Sequence, residues 1–281
     1  MLCKIGDIEI WRLLEINGPF LDPLKLFPNA GPDVSARIEK LVPGAIDAET
    51  GAMILPVQGF LLKTPDHVVL VDGCVGNDKT AALPAWNKRQ DGRFMAALTA
   101  AGVTPAQVDF VLCTHLHTDH VGWNTQLQDG RWVPTFPNAK YLMPSADEAV
   151  FRAAANDTFT ESVLPVIEAG QAELVQAGHT LGDYITLMPT PGHTPGHVSI
   201  GIKHGAAQAI ITGDALHTTA QCWHPEWHFS FDMDADLAET SRRQLLETAS
   251  ETHARIIGSH FKLPSIGHIG ATGDGFFWTD D

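Results

Sequence analysis

The 281 residues carry 33 acidic and 18 basic side chains, a net charge of −15, and 44% are hydrophobic. That hydrophobic content excludes a disordered chain, and the acidic balance argues against a partner held by its phosphates, so no nucleic acid is expected. Length and composition suit one catalytic domain spanning residues 1–281.

The chain opens without the charged start and apolar core of a secretory signal, and no stretch reaches membrane-spanning length. Cytoplasm is the expected location, with no membrane partner. An alternating pattern through Ile8, Ile10 and Leu13 predicts a strand. Residues 21–51 are rich in Pro and Gly with a short helix expected at 35–41. This excursion reads as a flap over a site, as a dimer arm, or as ordinary surface. An apolar run ending in Asp72 follows, and Thr104 to Gln107 fits a capping box.

Asp109 to Cys113 predicts a short buried strand, and the run Thr114-His115-Leu116-His117-Thr118-Asp119-His120 follows it directly. Three imidazoles and a carboxylate within six positions form a metal-ligand cluster, since neutral imidazole and carboxylate suit zinc, iron and manganese. His115 and His117, two apart, are expected to hold one ion, with Asp119 and His120 turned toward a second. Further ligands must come from elsewhere. Ser145 to Glu148 fits a second capping box before a helix. Thr190 to His197 is a turn-rich loop from which either His193 or His197 could reach a metal. Residues 209–214 form a strand ending in Asp214, whose two oxygens can bridge two cations, and residues 255–260 form another ending in His260. Singly, Asp214 reads as a turn residue and His197 or His260 as a satisfied core histidine. In order after the hexamer, they stop being independent.

Rings cluster near the expected mouth: Trp123, Trp223, Trp227, Phe229 and Phe261, suggesting an apolar pocket for a small, largely apolar substrate. Residues 236–251 read as an amphipathic helix packing through Leu237, Leu245, Leu246 and Ala249. Cys3, Cys74, Cys113 and Cys222 show no close pairing, so neither a disulfide scaffold nor a structural zinc knuckle is suggested.

Asp72, the His115 to His120 cluster, His193, Asp214 and His260, in that order, resemble the five motifs of the metallo-β-lactamase superfamily. The resemblance implies an α/β (α+β) fold, a four-layer αββα sandwich with metals at one rim between two sheets. It assigns His115, His117 and His193 to one metal and Asp119, His120 and His260 to the other, with Asp214 bridging. Asp72 resembles the acid that orients a ligand imidazole, and His197 likewise resembles a supporting residue rather than a ligand. The implied cofactor is a pair of divalent ions, zinc first, with manganese, iron or cobalt as alternatives.

The final third, including His224-Pro225-Glu226-Trp227, Phe231-Asp232-Met233-Asp234 and the closing Gly275 to Trp278, resembles the branch of methyl parathion hydrolase and some N-acyl homoserine lactone lactonases. This branch implies a homodimer. Well-known lactonases carry a tyrosine three residues beyond the bridging aspartate, where this chain has His217, which counts against a tyrosine-assisted mechanism. The expected activity is hydrolysis of an ester, lactone or organophosphate triester by a metal-held hydroxide, with Asp119 carrying the proton and His217 as the weaker candidate. A β-lactam hydrolase and a mononuclear iron oxygenase of the persulfide dioxygenase type are the alternatives.

Overall fold

The computed structural model describes residues 1–273 and 275–281. The chain divides into two compact units, Met1–Glu15 with Val57–Gln176, and Ile16–Pro56 with Ala177–Asp281.

The first unit is organised on a seven-stranded sheet. Its strands are β1 (Cys3–Ile5), β2 (Ile8–Pro19), β3 (Ile54–Lys63), β4 (Val68–Val71) and β5 (Phe110–Leu112), followed, after the small β6 (Thr125–Gln128) and β7 (Arg131–Pro134) hairpin, by β8 (Lys140–Pro144) and β9 (Ala172–Val175). The order across the sheet is β1-β2-β3-β4-β5-β8-β9. β4 and β5 are parallel, with Val71 opposite Leu112, so Asp72 and the run after Leu112 leave the sheet at the same edge. Both strands are apolar runs, Val69 to Val71 and Val111 to Leu112 being fully buried, as strands covered on both faces require. Ile8 and Ile10 are buried as alternation predicts, and after a one-residue shift of the period the buried set resumes at Leu13 and Glu15.

The second unit holds a sheet of β10 (Thr180–Leu181), β11 (Ile185–Pro189), β12 (Val198–His204), β13 (Ala207–Ile211), β14 (Arg255–Ile257), β15 (Ile266–Thr272) and β16 (Gly275–Asp280), ordered as numbered. β12 is antiparallel to both β11 and β13, and β13 is parallel to β14. Hence β11, β13 and β14 run the same way. The segments following them, which carry His193, Asp214 and His260, all begin at one edge of this sheet.

Among the described residues, four helices have eight or more residues: α1 (Val34–Leu41), α2 (Arg93–Ala100), α3 (Ser145–Ala154) and α4 (Ala235–Thr252). The Thr104 capping box is present, closing a single 3-10 turn. The one expected at Ser145 is not: α3 starts at Ser145 itself after Pro144, with no side-chain cap. Its acids are taken up elsewhere, Asp147 by the Leu116 N–H (3.2 Å) and Glu148 by Arg152.

α4 starts where Asp234 accepts the Leu237 N–H at 3.0 Å, a cap worth about 1 kcal/mol. Its inward stripe is Ala238, Ser241, Arg242, Leu245, Leu246 and Ala249. Leu237, expected in that stripe, lies one position off the three-to-four spacing and is exposed. Leu245 and Leu246 pack with Ile256, Phe261 and Ile269, each buried leucine contributing about 1.5–3 kcal/mol.

Candidate active site

In the first unit, the segment after β5 is held from below by Asp72. This residue adopts φ 59°, a left-handed conformation that costs energy away from glycine, and its carboxylate satisfies three donors. Oδ1 accepts the Thr114 N–H (2.8 Å), and Oδ2 accepts the Thr114 hydroxyl and the His120 Nδ1–H, both at 2.8 Å. Since the Thr114 hydroxyl proton is committed to Asp72, its oxygen accepts from His115 Nδ1 at 3.1 Å. The Nε2 lone pair of His115 then faces Nδ1 of His117 at 3.0 Å. His115 and His120 are buried, their rings 4.1 Å apart, and Asp119 is partly exposed with an oxygen 3.8 Å from His120 Nε2. The loop closes through Gly122, where a Cβ would lie 1.8 Å from the Val75 carbonyl oxygen, so only glycine permits this approach.

In the second unit, the His193 loop rests on the start of α4. Gly192 has φ +129°, and a Cβ there would sit 2.1 Å from the Ala238 nitrogen. Pro191 accepts the Ser241 hydroxyl, and the backbone of Met233 and Asp234 donates to His193 and Gly192. His197 turns away from its neighbour's direction: Nδ1–H donates to the Thr190 carbonyl (3.0 Å), and Nε2 accepts the Asp214 backbone N–H (2.9 Å).

Three imidazoles meet the buried Asp214 carboxylate. His193 Nε2 is 3.2 Å and His217 Nε2 3.1 Å from Oδ2, and His260 Nε2 is 3.1 Å from Oδ1. The Nδ1–H of His193 is given to Asp232 (2.9 Å) and that of His260 to the Pro56 carbonyl (2.7 Å). In the neutral tautomers, the Nε2 lone pairs of these two histidines therefore point at a carboxylate. Acceptor facing acceptor is unfavourable in a buried setting and needs either added protons or a shared cation. The proton route shows in the electrostatics. Burial opposes charge on His193, but Asp214 and Asp232 outweigh it and raise its pKa to about 9. For His217 burial wins over the attraction of Asp214, lowering the pKa to about 4. A divalent ion satisfies the same lone pairs without burying extra protons, so the donor set fits a metal.

The aromatic residues divide. Phe229 stacks on His217 at 3.4 Å between centroids, and Phe27 touches both Phe229 and Trp227 at 5.6 and 5.8 Å. Trp227 stacks on His224 (4.5 Å) and lies 4.7 Å from the Arg37 guanidinium, which also meets the His224 ring nitrogens at 3.1 and 3.2 Å. Residues 21–51 thus supply one side of this wall of buried rings, a contact the sequence did not single out for Phe27 or Arg37. Gln221 fastens the wall to His217, accepting its N–H (2.7 Å) and donating to the Trp227 carbonyl (2.9 Å). Trp223 is partly buried against the α4 core. Trp123 and Phe261 are core residues of their units: Trp123 stacks on Phe94 and donates to the buried Glu15, and Phe261 packs edge-on to Trp278. Of the two tyrosines, Tyr141 donates to the Asn124 carbonyl and Tyr184 lies against His204.

Residues 54–260 match the family model of the metallo-beta-lactamase superfamily. The chain belongs to that superfamily. An N-acyl homoserine lactonase of a Bacillus species is 25% identical over 244 residues, 81% of this chain and 88% of the relative. Two solved structures superpose on almost the whole chain. AidC, a dizinc quorum-quenching lactonase in complex with a product, has a TM-score of 0.80 at 21% identity, covering 99% of this chain and 96% of its own. The hydrolase AbOPH of the beta lactamase superfamily has a TM-score of 0.83 at 24% identity with the same coverage. The mixed α/β architecture with several sheets is the fold of this superfamily, and the chain is a metal-dependent hydrolase within it. Among the described residues no helix is long and apolar enough to cross a membrane.

Proposed function

We propose that the chain hydrolyses a small, largely apolar and uncharged ester or lactone with two divalent cations, zinc first, held by its clustered histidines and carboxylates. The observation that carries this reading is the turning of His193, His217 and His260 onto the one buried carboxylate of Asp214. The lone pairs of His193 and His260 are left to face it. His115, His117 and His193 would hold one ion, Asp119, His120 and His260 the other, and Asp214 both. When bound, such a pair supplies Lewis acidity that polarises a carbonyl oxygen and lets a water ionise near neutral pH.

The chain's own groups do the rest. Asp72 keeps His120 in the tautomer with Nε2 free of its proton. Asp119 takes a proton from the attacking water and passes it to the leaving oxygen as the acyl carbon–oxygen bond breaks. His217, neutral and pressed against Phe229, is the second candidate for that transfer. The relatives support a lactone or ester over other acyl donors, and Phe229, stacked on His217, gives the Asp214 cluster an apolar neighbour that suits an apolar substrate.

A hydrolysis panel on zinc-loaded protein tests the reading, comparing lactones, aryl esters, phosphotriesters and β-lactams by kcat/KM. The highest value is expected on a lactone or ester. Turnover confined to β-lactams or phosphotriesters, or turnover that persists after chelation of the metal, would overturn it.

A further inference from the structure

Beneath the His193 loop lies a completely buried ion pair that no part of the proposed chemistry uses. The side chains of Asp232 and Arg242 have no exposure, and Arg242 Nη2 lies 3.5 Å from Asp232 Oδ2. Asp232 Oδ1 accepts the His193 Nδ1–H at 2.9 Å, and Oδ2 accepts the Phe229 N–H at 3.0 Å. Arg242 then reaches three carbonyls: Nε donates to Ala215 (2.9 Å), and Nη1 donates to Pro225 (2.7 Å) and Trp227 (3.0 Å). One guanidinium therefore fastens the turn that carries Asp214, the segment that carries the aromatic wall, and the acid that orients His193.

We propose that Asp232 and Arg242 are positioning residues for metal binding: Asp232 holds His193 with Nε2 directed at the ion, and Arg242 holds Asp232 and the Asp214 turn in register. A buried ion pair is a weak source of stability, because desolvation of two charges offsets their attraction and apolar replacements often do as well. The contacts here are directed instead at two segments bearing candidate ligands. A carboxylate on the far nitrogen of a ligand imidazole fixes its tautomer and raises its basicity, and loss of such a partner costs about 10–100-fold in metal affinity. Asp72 stands in the same relation to His120 in the first unit, at 2.8 Å. Sequence spacing could not reveal Asp232, which is 39 residues from His193.

The inference rests on the two-cation reading, and one experiment separates the two. Zinc affinity is measured by competition with a chromophoric chelator on the full chain, alongside the melting temperature of the metal-free protein, for wild type, His193→Ala, Asp232→Asn and Arg242→Lys. Wild type is expected to bind about two zinc ions, and His193→Ala to lose one. Asp232→Asn should weaken one equivalent by about 10–100-fold and leave the other unchanged, while the metal-free protein melts within a few degrees of wild type. Arg242→Lys keeps a buried cation but loses carbonyl contacts, and should weaken the same equivalent by about threefold or more. Two wild-type affinities in folded Asp232→Asn, or in folded Arg242→Lys should the first variant not fold, overturn the positioning role while leaving the cation reading intact. A wild type that binds no zinc overturns both.

Discussion

The two ligand-rich regions are assembled in opposite ways. His115, His117, Asp119 and His120 hang on one short segment after β5, which Asp72 organises from the end of the neighbouring strand while Asp147 accepts the Leu116 N–H. His193, Asp214, His217 and His260 follow three different strands and are drawn together by the common direction of β11, β13 and β14. The first region is specified by spacing along the chain and needs little beyond a tight loop. The second is specified by sheet topology and needs supports that sequence distance hides: the seat of Gly192 on α4, the His197 bond to the Asp214 backbone, and the Asp232–Arg242 pair. A cluster made locally is rigid through its loop, whereas a cluster made at a sheet edge is rigid through what lies beneath it.

That contrast can be broken, beginning with the largest expected effect. Gly192→Ala forces a Cβ into the backbone of α4 at a positive φ, and should cost about 3 kcal/mol or more in denaturant unfolding. Gly122→Ala drives a Cβ against Val75 in the first region and should cost about 3 kcal/mol, measured the same way, without the added strain of φ. If Gly192→Ala is tolerated and Gly122→Ala is not, the view that the second region depends on its seat fails.

Asp72→Asn should lower affinity for one zinc ion by about 10–100-fold in chelator competition; an unchanged affinity would mean that His120 is oriented without it. Asp234→Ala removes the α4 cap and should cost about 1 kcal/mol in thermal unfolding. The smallest effect is expected at Leu237→Gln, within about 0.5 kcal/mol, because that side chain lies outside the packed stripe. A loss of 2 kcal/mol there would show that the start of α4 is packed in a way its exposure denies.

Much of this was legible in the sequence because strands that end in a ligand leave a local mark. The apolar runs before Asp72, His115, Asp214 and His260 are β4, β5, β13 and β14, and the motif order identified the superfamily that residues 54–260 match. What stayed hidden was whatever depends on contacts between distant positions. Arg242 sits in the apolar stripe of α4, a charged residue where a leucine would serve, and that misfit was its only signal. Phe27 lay in an excursion with no periodicity, yet its ring closes the wall against Trp227 and Phe229. Trp123 and Phe261 stand beside candidate ligands in sequence, but a large ring next to a ligand is as well used for packing, and here both rings are taken by neighbours in the core. The Ser145 box illustrates the same limit: its pattern was complete, but tertiary donors claimed Asp147 and Glu148 first.

The central claim is that Asp214 serves a pair of divalent cations, and elemental analysis of the purified wild-type and Asp214→Ala proteins tests it most directly. About two zinc or manganese ions per chain are predicted in the wild type, with fewer in the variant. One iron per chain, or a metal count indifferent to the loss of Asp214, would contradict it.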